Sequence, residues 1–287
     1  MNRLSTAERA AIVRALVEGN SVRATCRITG AAKGTVLALL NDLGAVCTSY
    51  QSKTIRNLNS RHIQCDEIWS FCYAKQKNVP KAMAGKYGVG DVWTWTALDE
   101  DSKLIVSWYV GPRDARSAEP FIQDLSERLA GRVQITTDGF GAYVPAVYDA
   151  FGPTVDFAQL IKVYEGNDER KAQARYSPAK YIGIKKRRVS GDPDMNTIST
   201  SHVERSNLTM RMGMRRFTRL TNGFSKKLHN HENAVALHFM YYNFARIHQT
   251  LRVTPAMAAG VADHVWSIEE IVGLLGRPVV AESASAV

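Results

Sequence analysis

The chain has 287 residues, 45% of them hydrophobic and 22% charged, with a formal net charge of +10 at pH 7. This composition is globular rather than disordered, and no stretch reaches the ~18 uninterrupted apolar residues of a membrane span. The opening residues lack an apolar signal-peptide core, so we expect a cytoplasmic protein that does not contact membranes. The four cysteines stand singly, which disfavours a structural zinc site or a disulfide framework and favours buried, reduced thiols.

The charge is unevenly distributed along the chain. Basic and acidic residues number 8 against 3 in residues 1–60, 10 against 13 in 61–161, 16 against 6 in 162–227 and 3 against 5 in the remainder. Two basic blocks around a mildly acidic centre favour a polyanion that is held at two places. A solvated basic surface without a ligand is the alternative.

Residues 5–43 predict three short helices. Ser5 or Thr6 can cap the first helix, and Ser21 can cap the second, which ends at Gly30. A third helix follows and is expected to stop at Gly44. Each helix carries apolar residues at helical spacing, so the three can pack together.

Two helices joined by a turn that contains glycine are typical of a helix-turn-helix, and we expect residues 1–46 to form such a DNA-binding domain. A plain three-helix bundle is the alternative. The side chains expected to contact DNA are Lys33 and Thr35, with Arg23 and Arg27 at the phosphates. The polar residues 47–60 predict a linker.

From residue 61 the pattern changes to the period-two alternation of strands. Strands are predicted at 63–71, 92–98 and 104–110, then a helix at 117–129, a strand at 133–137, a helix at 142–151 and a strand at 155–163. This order predicts an α/β fold with a ribonuclease-H-like mixed sheet and flanking helices, preceded by the all-α helix-turn-helix domain.

Three acidic residues occupy unusual places in this pattern. Asp66 lies in the middle of the first strand, and Asp138 ends the fourth, which is expected beside the first. Glu204, Asn207 and Arg211 share one face of a later predicted helix. Two carboxylates that share a small space need a cation between them, and Mg²⁺ suits carboxylate oxygens. Taken singly, the three acids have ordinary alternatives: a solvent-facing edge-strand aspartate, a helix N-cap and a salt-bridged helix face.

These segments resemble the three signature segments of the DDE transposases of bacterial insertion sequences. The matching segments are Cys65–Phe71, Thr137–Tyr143 and Val203–Asn207. Arg215–Lys227 resembles the continuation in the insertion-sequence-one group, and Tyr242–Leu251 with Thr254–Ala256 resembles the C-terminal end of many such transposases. The resemblance covers roughly residues 61–260, which we take as the catalytic domain, with 261–287 as a C-terminal helix and tail.

The resemblance implies a transposase that cuts transposon ends and joins them to target DNA. Asp66, Asp138 and Glu204 would be its catalytic residues and would hold two Mg²⁺ ions, with Mn²⁺ able to substitute. Double-stranded DNA at transposon ends and target would be its partner, and joining two ends implies a homo-oligomer. Further DNA contacts are expected at Arg205, Asn207, Arg211, Arg215 and Arg216. The cysteine-paired zinc finger with which members of this group often begin is absent here, so end recognition would fall to the helix-turn-helix and basic segments.

About 65 residues separate Asp138 from Glu204, and a basic insertion at about 165–200 lies between them. Its run Lys185, Lys186, Arg187 and Arg188 is expected to contact DNA, with a solvated loop as the alternative. Elsewhere, His229 and His231 lie two residues apart at a predicted helix start, which favours surface placement over zinc binding.

Two other functions fit the same residues. A ribonuclease-H-like nuclease or resolvase would cut DNA with the same metal chemistry but would not join it. A DNA-binding regulator descended from a transposase would have no need of the three acidic residues, all of which are present here.

Overall fold

A six-stranded mixed sheet forms the centre of the protein, seen in a computed structural model that describes residues 4–164, 181–218 and 221–276. Its order is β3-β2-β1-β4-β5-β6. The strands are β1 His62–Cys72, β2 Gly90–Asp99, β3 Ile105–Gly111, β4 Val133–Asp138, β5 Val155–Tyr164 and β6 Tyr181–Ser190. The first five agree with the sequence prediction.

The directions of the strands give a mixed sheet that is consistent with the ribonuclease-H-like fold expected from the sequence. β1, β2 and β3 pair antiparallel, as a meander. β4 then pairs parallel with the other side of β1, and β5 parallel with β4. This is the topology that makes the first and fourth strands neighbours.

The sixth strand lies within the predicted basic insertion, so residues 181–190 do not form the loop that was its alternative. Residues 181–190 pair antiparallel with β5, as the end strand of the described sheet. The four consecutive basic residues conceal the apolar alternation by which strands are recognised, yet charged side chains suit a strand at a sheet edge. Residues 165–180 of the predicted insertion lie outside the described residues.

Nine α-helices are labelled in the described part of the chain. They are α1 Thr6–Val17, α2 Val22–Thr29, α3 Lys33–Thr54, α4 Ala115–Ser126, α5 Tyr143–Phe151, α6 Ser201–Gly213, α7 Leu228–Met240, α8 Pro255–Ala258 and α9 Ile268–Gly273. The backbone of α7 continues as a π-helical turn through Tyr241–Ala245. The capping of the first two helices agrees with the prediction, because Ser5 and Ser21 each accept a backbone N–H and Gly30 has a φ of 73°.

The third helix is longer than predicted, and this removes most of the predicted linker. α3 passes through Gly44 and ends only at Thr54. Gly44 is buried in the helix against α7, where an added Cβ would lie 2.3 Å from the Cβ of Asn233. The glycine therefore permits close approach of two helices and does not end one. The polar residues 47–54 lie on its second half, with Cys47 and Gln51 buried.

Helices cover both faces of the sheet. Trp95 of β2 packs on Phe121 of α4 and Tyr143 of α5. On the opposite face, Trp108 of β3 packs on Phe239 of α7, at ring centroids 5.3 Å apart. α6 lies on this second face as well, where its Asn207 meets Thr96 of β2.

The N-terminal helices share their core with the sheet. A single hydrophobic cluster includes buried side chains of α1 and α3, both faces of the sheet, α7 and α9. Polar contacts join the same parts: Asn243 donates to the carbonyl of Ile105 in β3 and to the side chain of Gln51 in α3, at 3.0 and 3.2 Å. The structure thus shows three N-terminal helices, the third longer than predicted, packed on the α/β core.

Two predictions made from composition concern membrane-spanning helices and disulfides. Over the residues described, none of the helices combines the length and apolar character needed to cross a membrane. The four cysteines, all within those residues, form no disulfide, and Cys47, Cys65 and Cys72 are buried.

Candidate active site

The sheet places Asp66 and Asp138 side by side. β1 and β4 pair in parallel register through Gln64 and Thr136. Continuing that register by two residues aligns Asp66 with Asp138, just where the ladder between the two strands ends. The paired strands therefore open into a cleft at the level of the two carboxylates.

A third carboxylate, which the sequence did not single out, joins them. Oxygen atoms of Asp66, Glu67 and Asp138 all lie within 4.8 Å of one another. Successive side chains of a strand point to opposite faces, so regular alternation would separate Glu67 from Asp66. The pairing of β1 with β4 ends at Gln64 and Thr136, and both Asp66 and Glu67 line the pocket beyond it.

Asp66 is held by the helix that carries Glu204. The Nδ2 atom of Asn207 donates to Oδ2 of Asp66 at 2.8 Å, and Thr96 donates to the amide oxygen of Asn207 at 3.4 Å. The pKa of Asp66 is raised to about 6, chiefly by burial and also by the negative charges of Asp138 and Glu204, while the hydrogen bond from Asn207 opposes the rise. A carboxylate with a raised pKa in a cleft is a feature of functional sites.

An arginine bridges the other two acids. Arg113, in the loop after β3, donates through Nε to Oε2 of Glu67 at 2.9 Å and through Nη2 to Oδ2 of Asp138 at 3.1 Å. Burial, followed by the charge of Asp138, raises the pKa of Glu67 to about 7, while Tyr143 and Arg113 oppose the rise. The second oxygen of Asp138 accepts the backbone N–H of Phe140 at 2.9 Å, which shapes the turn after β4.

Glu204 reaches the same pocket from α6. Its Oε1 accepts from Nζ of Lys162 on β5 at 2.7 Å and from Oγ1 of Thr200 at 2.6 Å. The start of α6 is fixed to β1, because the backbone N–H groups of His202 and Val203 donate to Oε1 of Gln64 at 2.9 and 3.1 Å. The strand that carries Asp66 therefore also positions the helix that carries Glu204.

These side chains line one open pocket of about 680 Å³. Its acidic residues are Asp66, Glu67, Asp138 and Glu204, and its basic residues are Arg113, Lys162 and Arg211. The predicted trio thus faces one cavity, with Glu67 added. Arg113 and Lys162 were missed because each follows or lies on a strand without any motif of its own.

The donor set suits hard divalent cations. Carboxylate oxygens are the ligands that Mg²⁺ prefers, and it binds through few of them, with water and phosphate oxygens completing its shell. Asp66, Glu67 and Asp138 lie close enough to share one ion, and Glu204 faces them across the pocket. Arg113 and Lys162 balance part of the negative charge, as crowded carboxylates require.

The residues predicted to bind DNA lie in several places. Arg211 lines the pocket, while Asn207 is buried and serves Asp66. Arg205 and Arg215 are both exposed. Lys33, Arg23 and Arg27 are also exposed, and Thr35 is partly exposed, at the start of α3 and along α2.

Arg216 differs from these because it is turned inward. Its guanidinium donates to Oγ of the buried Ser225 at 2.6 Å, and burial lowers its pKa to about 10. Ser225 in turn contacts Nδ1 of His231, whose Nε2 lies 3.1 Å from Ser70 Oγ. His231 is fully buried, so its predicted surface placement was wrong. The two serine hydroxyls explain why a histidine is tolerated there.

The four basic residues of β6 divide between its two faces. Lys186 and Arg188 pair in register with Leu160 and Ala158, which belong to the face on which α6 lies. We call these two the pocket-side pair, and Lys185 with Arg187 the far-side pair. All four are exposed. Because strand side chains alternate, the run cannot act as one patch, as it could in a loop.

Comparison of the sequence with known proteins finds no match. No protein-family model matches the chain, and no curated protein does. Among solved structures, a cryo-EM structure of a piggyBac transposase synaptic complex with hairpin DNA matches with a TM-score of 0.41 and 13% sequence identity, over 94% of this chain and 69% of that one. A TM-score this low carries no conclusion about activity.

Proposed function

We propose that the protein is a DDE-type DNA transposase, which cuts DNA at transposon ends and joins the freed ends to target DNA. The observation that carries the proposal is the convergence of Asp66, Asp138 and Glu204 on one pocket from three separate elements. These are the positions that resemble the signature segments of the insertion-sequence transposases, and the sheet has the topology that this resemblance implies.

Asp66 and Asp138 are proposed as the central metal ligands, with Glu204 as the third catalytic acid and Glu67 as a further oxygen donor beside them. Two bound Mg²⁺ ions would activate the attacking oxygen and stabilise the leaving oxygen of a phosphodiester. Asn207 holds Asp66 in place through its 2.8 Å hydrogen bond. Arg113 and Lys162 supply positive charge at the edge of the pocket, where they can meet phosphate oxygens of the DNA.

The surroundings of the pocket are suited to a DNA backbone. Arg211 lies in its wall and Arg205 lies on the same helix, while the pocket-side pair of β6 lies on the face that α6 covers. Further away, the exposed Lys33, Arg23 and Arg27 are proposed to recognise the transposon end as part of a helix-turn-helix. Arg216 is left out of this set because it points into the protein.

A cleavage and joining assay tests the proposal. The purified chain, with Mg²⁺ and a labelled duplex that carries the DNA flanking its coding region, should nick the duplex and insert the labelled end into a plasmid. Asp66→Asn and Asp138→Asn should each reduce cleavage at least about 100-fold, because a carboxylate ligand is removed while the fold is kept. Asp149→Asn makes the same chemical change at an exposed position of α5 and should cleave normally.

The same assay separates the two other functions. A ribonuclease-H-like nuclease would cut in an Asp66-dependent manner without producing joined plasmid. A DNA-binding regulator would bind the duplex and neither cut nor join it. Cleavage that persists undiminished in both Asp66→Asn and Asp138→Asn would contradict the assignment of the site.

Finer features belong to the proposal as well. Membership of the insertion-sequence-one group is inferred from the segment Arg215–Lys227 alone. A homo-oligomer is inferred from the need to hold two DNA ends at once. Measurement of the molar mass of the protein with and without end DNA tests the second point.

A further inference from the structure

A row of aromatic side chains leaves the acidic pocket along β1 and β2. Trp69 and Phe71 follow Glu67 at two-residue spacing, so all three lie on one face of β1. Trp93 of β2 stands directly opposite Trp69 in the register. The ring centroids of Trp69 and Phe71 are 5.7 Å apart, and those of Phe71 and Phe224 are 4.7 Å apart. These four rings, which we call the aromatic row, are each partly exposed.

Arg113 connects this row to the acidic residues. Its guanidinium carbon lies 5.3 Å from the ring centroid of Trp93, and the same guanidinium bridges Glu67 and Asp138. The row therefore begins at the wall of the pocket where the candidate ligands lie. It ends at Phe224, at the far end of β1.

Lysines accompany the outer half of the row. Nζ of Lys75 lies 5.9 Å from the ring centroid of Trp69 and 5.8 Å from that of Phe71, and Nζ of Lys226 lies 3.9 Å from that of Phe224. An ammonium group over a ring face is attracted by the ring, and it still keeps donors free for an anion.

The two segments that carry these lysines contain no acidic residue. Residues 73–89 hold four lysines and residues 221–228 hold two. A hydrogen bond of 2.8 Å from the backbone N–H of Tyr73 to the carbonyl of Ser225 fastens the segments together beside the end of β1. Aromatic rings and two lysine-bearing segments thus share one surface.

We propose that the aromatic row binds a single DNA strand whose unpaired bases stack on Trp69, Phe71 and Phe224 as the strand leaves the pocket. Ring faces accept any base, and the neighbouring lysines can follow the phosphates. This site goes beyond the proposed cleavage function, because stacking requires neither metal nor chemistry. The competing explanation is that the rings only fasten residues 221–228 to the sheet.

The first test uses the unmodified chain without metal. Fluorescence anisotropy should show binding of a single-stranded thymidine oligomer of about 10 nucleotides, a length within the usual site size of such surfaces. An abasic oligomer of the same length keeps the phosphates but has no bases. It should bind at least about 10-fold more weakly, since stacking of one base on an aromatic ring is worth about 1–3 kcal/mol. Equal affinity for the two oligomers would overturn the proposal.

Variants locate the site. Trp69→Ala and Phe71→Ala should each weaken binding of the thymidine oligomer about 10-fold, while Trp69→Phe should restore most of it. Tyr148→Ala removes an exposed ring from α5 and should leave binding unchanged. Unchanged affinity in both alanine variants would overturn the proposal, and a lowered melting temperature with it would mean that the rings only support the fold.

Failure here can be distinguished from failure of the proposed function. Strand binding is measured without metal and should persist in Asp66→Asn, which lacks cleavage. If cleavage were never observed, the binding result would stand by itself. If the oligomer did not bind, the acidic pocket would keep its proposed role on duplex DNA.

Discussion

Gly44→Ala tests whether the N-terminal helices are fixed to the sheet domain by close packing of α3 on α7. The added Cβ would lie 2.3 Å from Cβ and 2.5 Å from Cα of Asn233. A clash with a Cα atom cannot be relieved by a rotamer change, so the two helices must separate. Both helices contribute to the shared hydrophobic cluster, and separation would loosen it.

The expected magnitude follows from two opposing effects. Alanine favours a helix interior over glycine by about 1 kcal/mol. Overpacking a close interface costs about 1–3 kcal/mol, and the backbone clash places this case at the upper end. We expect a net loss of about 2 kcal/mol in the free energy of unfolding, or a melting temperature lowered by roughly 4 °C.

Gly34→Ala is the matched control, because it lies in the same helix and an added Cβ would meet nothing within 4 Å. It should leave the stability unchanged or raise it by up to about 1 kcal/mol. Thermal and urea unfolding, followed by circular dichroism and tryptophan fluorescence, measure both variants. A Gly44→Ala protein as stable as the parent, or an equal loss in Gly34→Ala, would refute the packing role of Gly44.

Two further predictions concern charge. Burial lowers the pKa of His231 to about 3, whereas Asp263 and Glu270 raise that of the exposed His264 above 6.5, so an NMR titration should find His231 neutral and His264 protonated at pH 5. In the unfolded chain His231 takes up a proton near pH 6.5, whereas in the folded chain it stays neutral. The contribution of His231 to stability should therefore fall by about 1.4 kcal/mol for each pH unit below 6.5. A His231 signal that titrates near pH 6.5 would be inconsistent with its burial. Glutamine in place of the pocket-side pair of β6 should weaken duplex binding and lower the slope of log affinity against log salt by about 1 for each phosphate that is no longer neutralised. The same change in the far-side pair should do neither, and equal effects from both pairs would show that the face of β6 does not matter.

Local sequence patterns identified some residues of the candidate site and missed others. Asp66 and Asp138 were identified because a carboxylate inside or at the end of an alternating strand is a conspicuous departure from its neighbours. Glu67 belongs to the same strand and was not singled out. The fold brings its carboxylate within 4.8 Å of those of Asp66 and Asp138. Arg113 lies in a loop, where its position depends wholly on the packing of the sheet.

The predictions that differed from the structure did so for one physical reason. Gly44 resembles a helix stop in sequence, but the approach of α7 gives it a packing role instead. The basic run of β6 lacks apolar alternation, and its pairing with β5 makes it a strand. Arg216 resembles a DNA contact until its hydrogen bond with Ser225 is seen. The local sequence around each residue is compatible with more than one structure. A contact with a residue far away in the chain determines which of them forms.

By itself, the amino-acid sequence determined the order and type of most elements, the neighbouring placement of β1 and β4, and the acids that face the pocket. Those features depend on hydrophobic periodicity, capping and turn residues, all of which act over a few residues. The tertiary structure alone decided the extension of α3, the sixth strand, the place of Glu67 and Arg113, and the row of rings that begins at the pocket. These depend on contacts between residues far apart in the chain, whose free energies no short window of sequence contains.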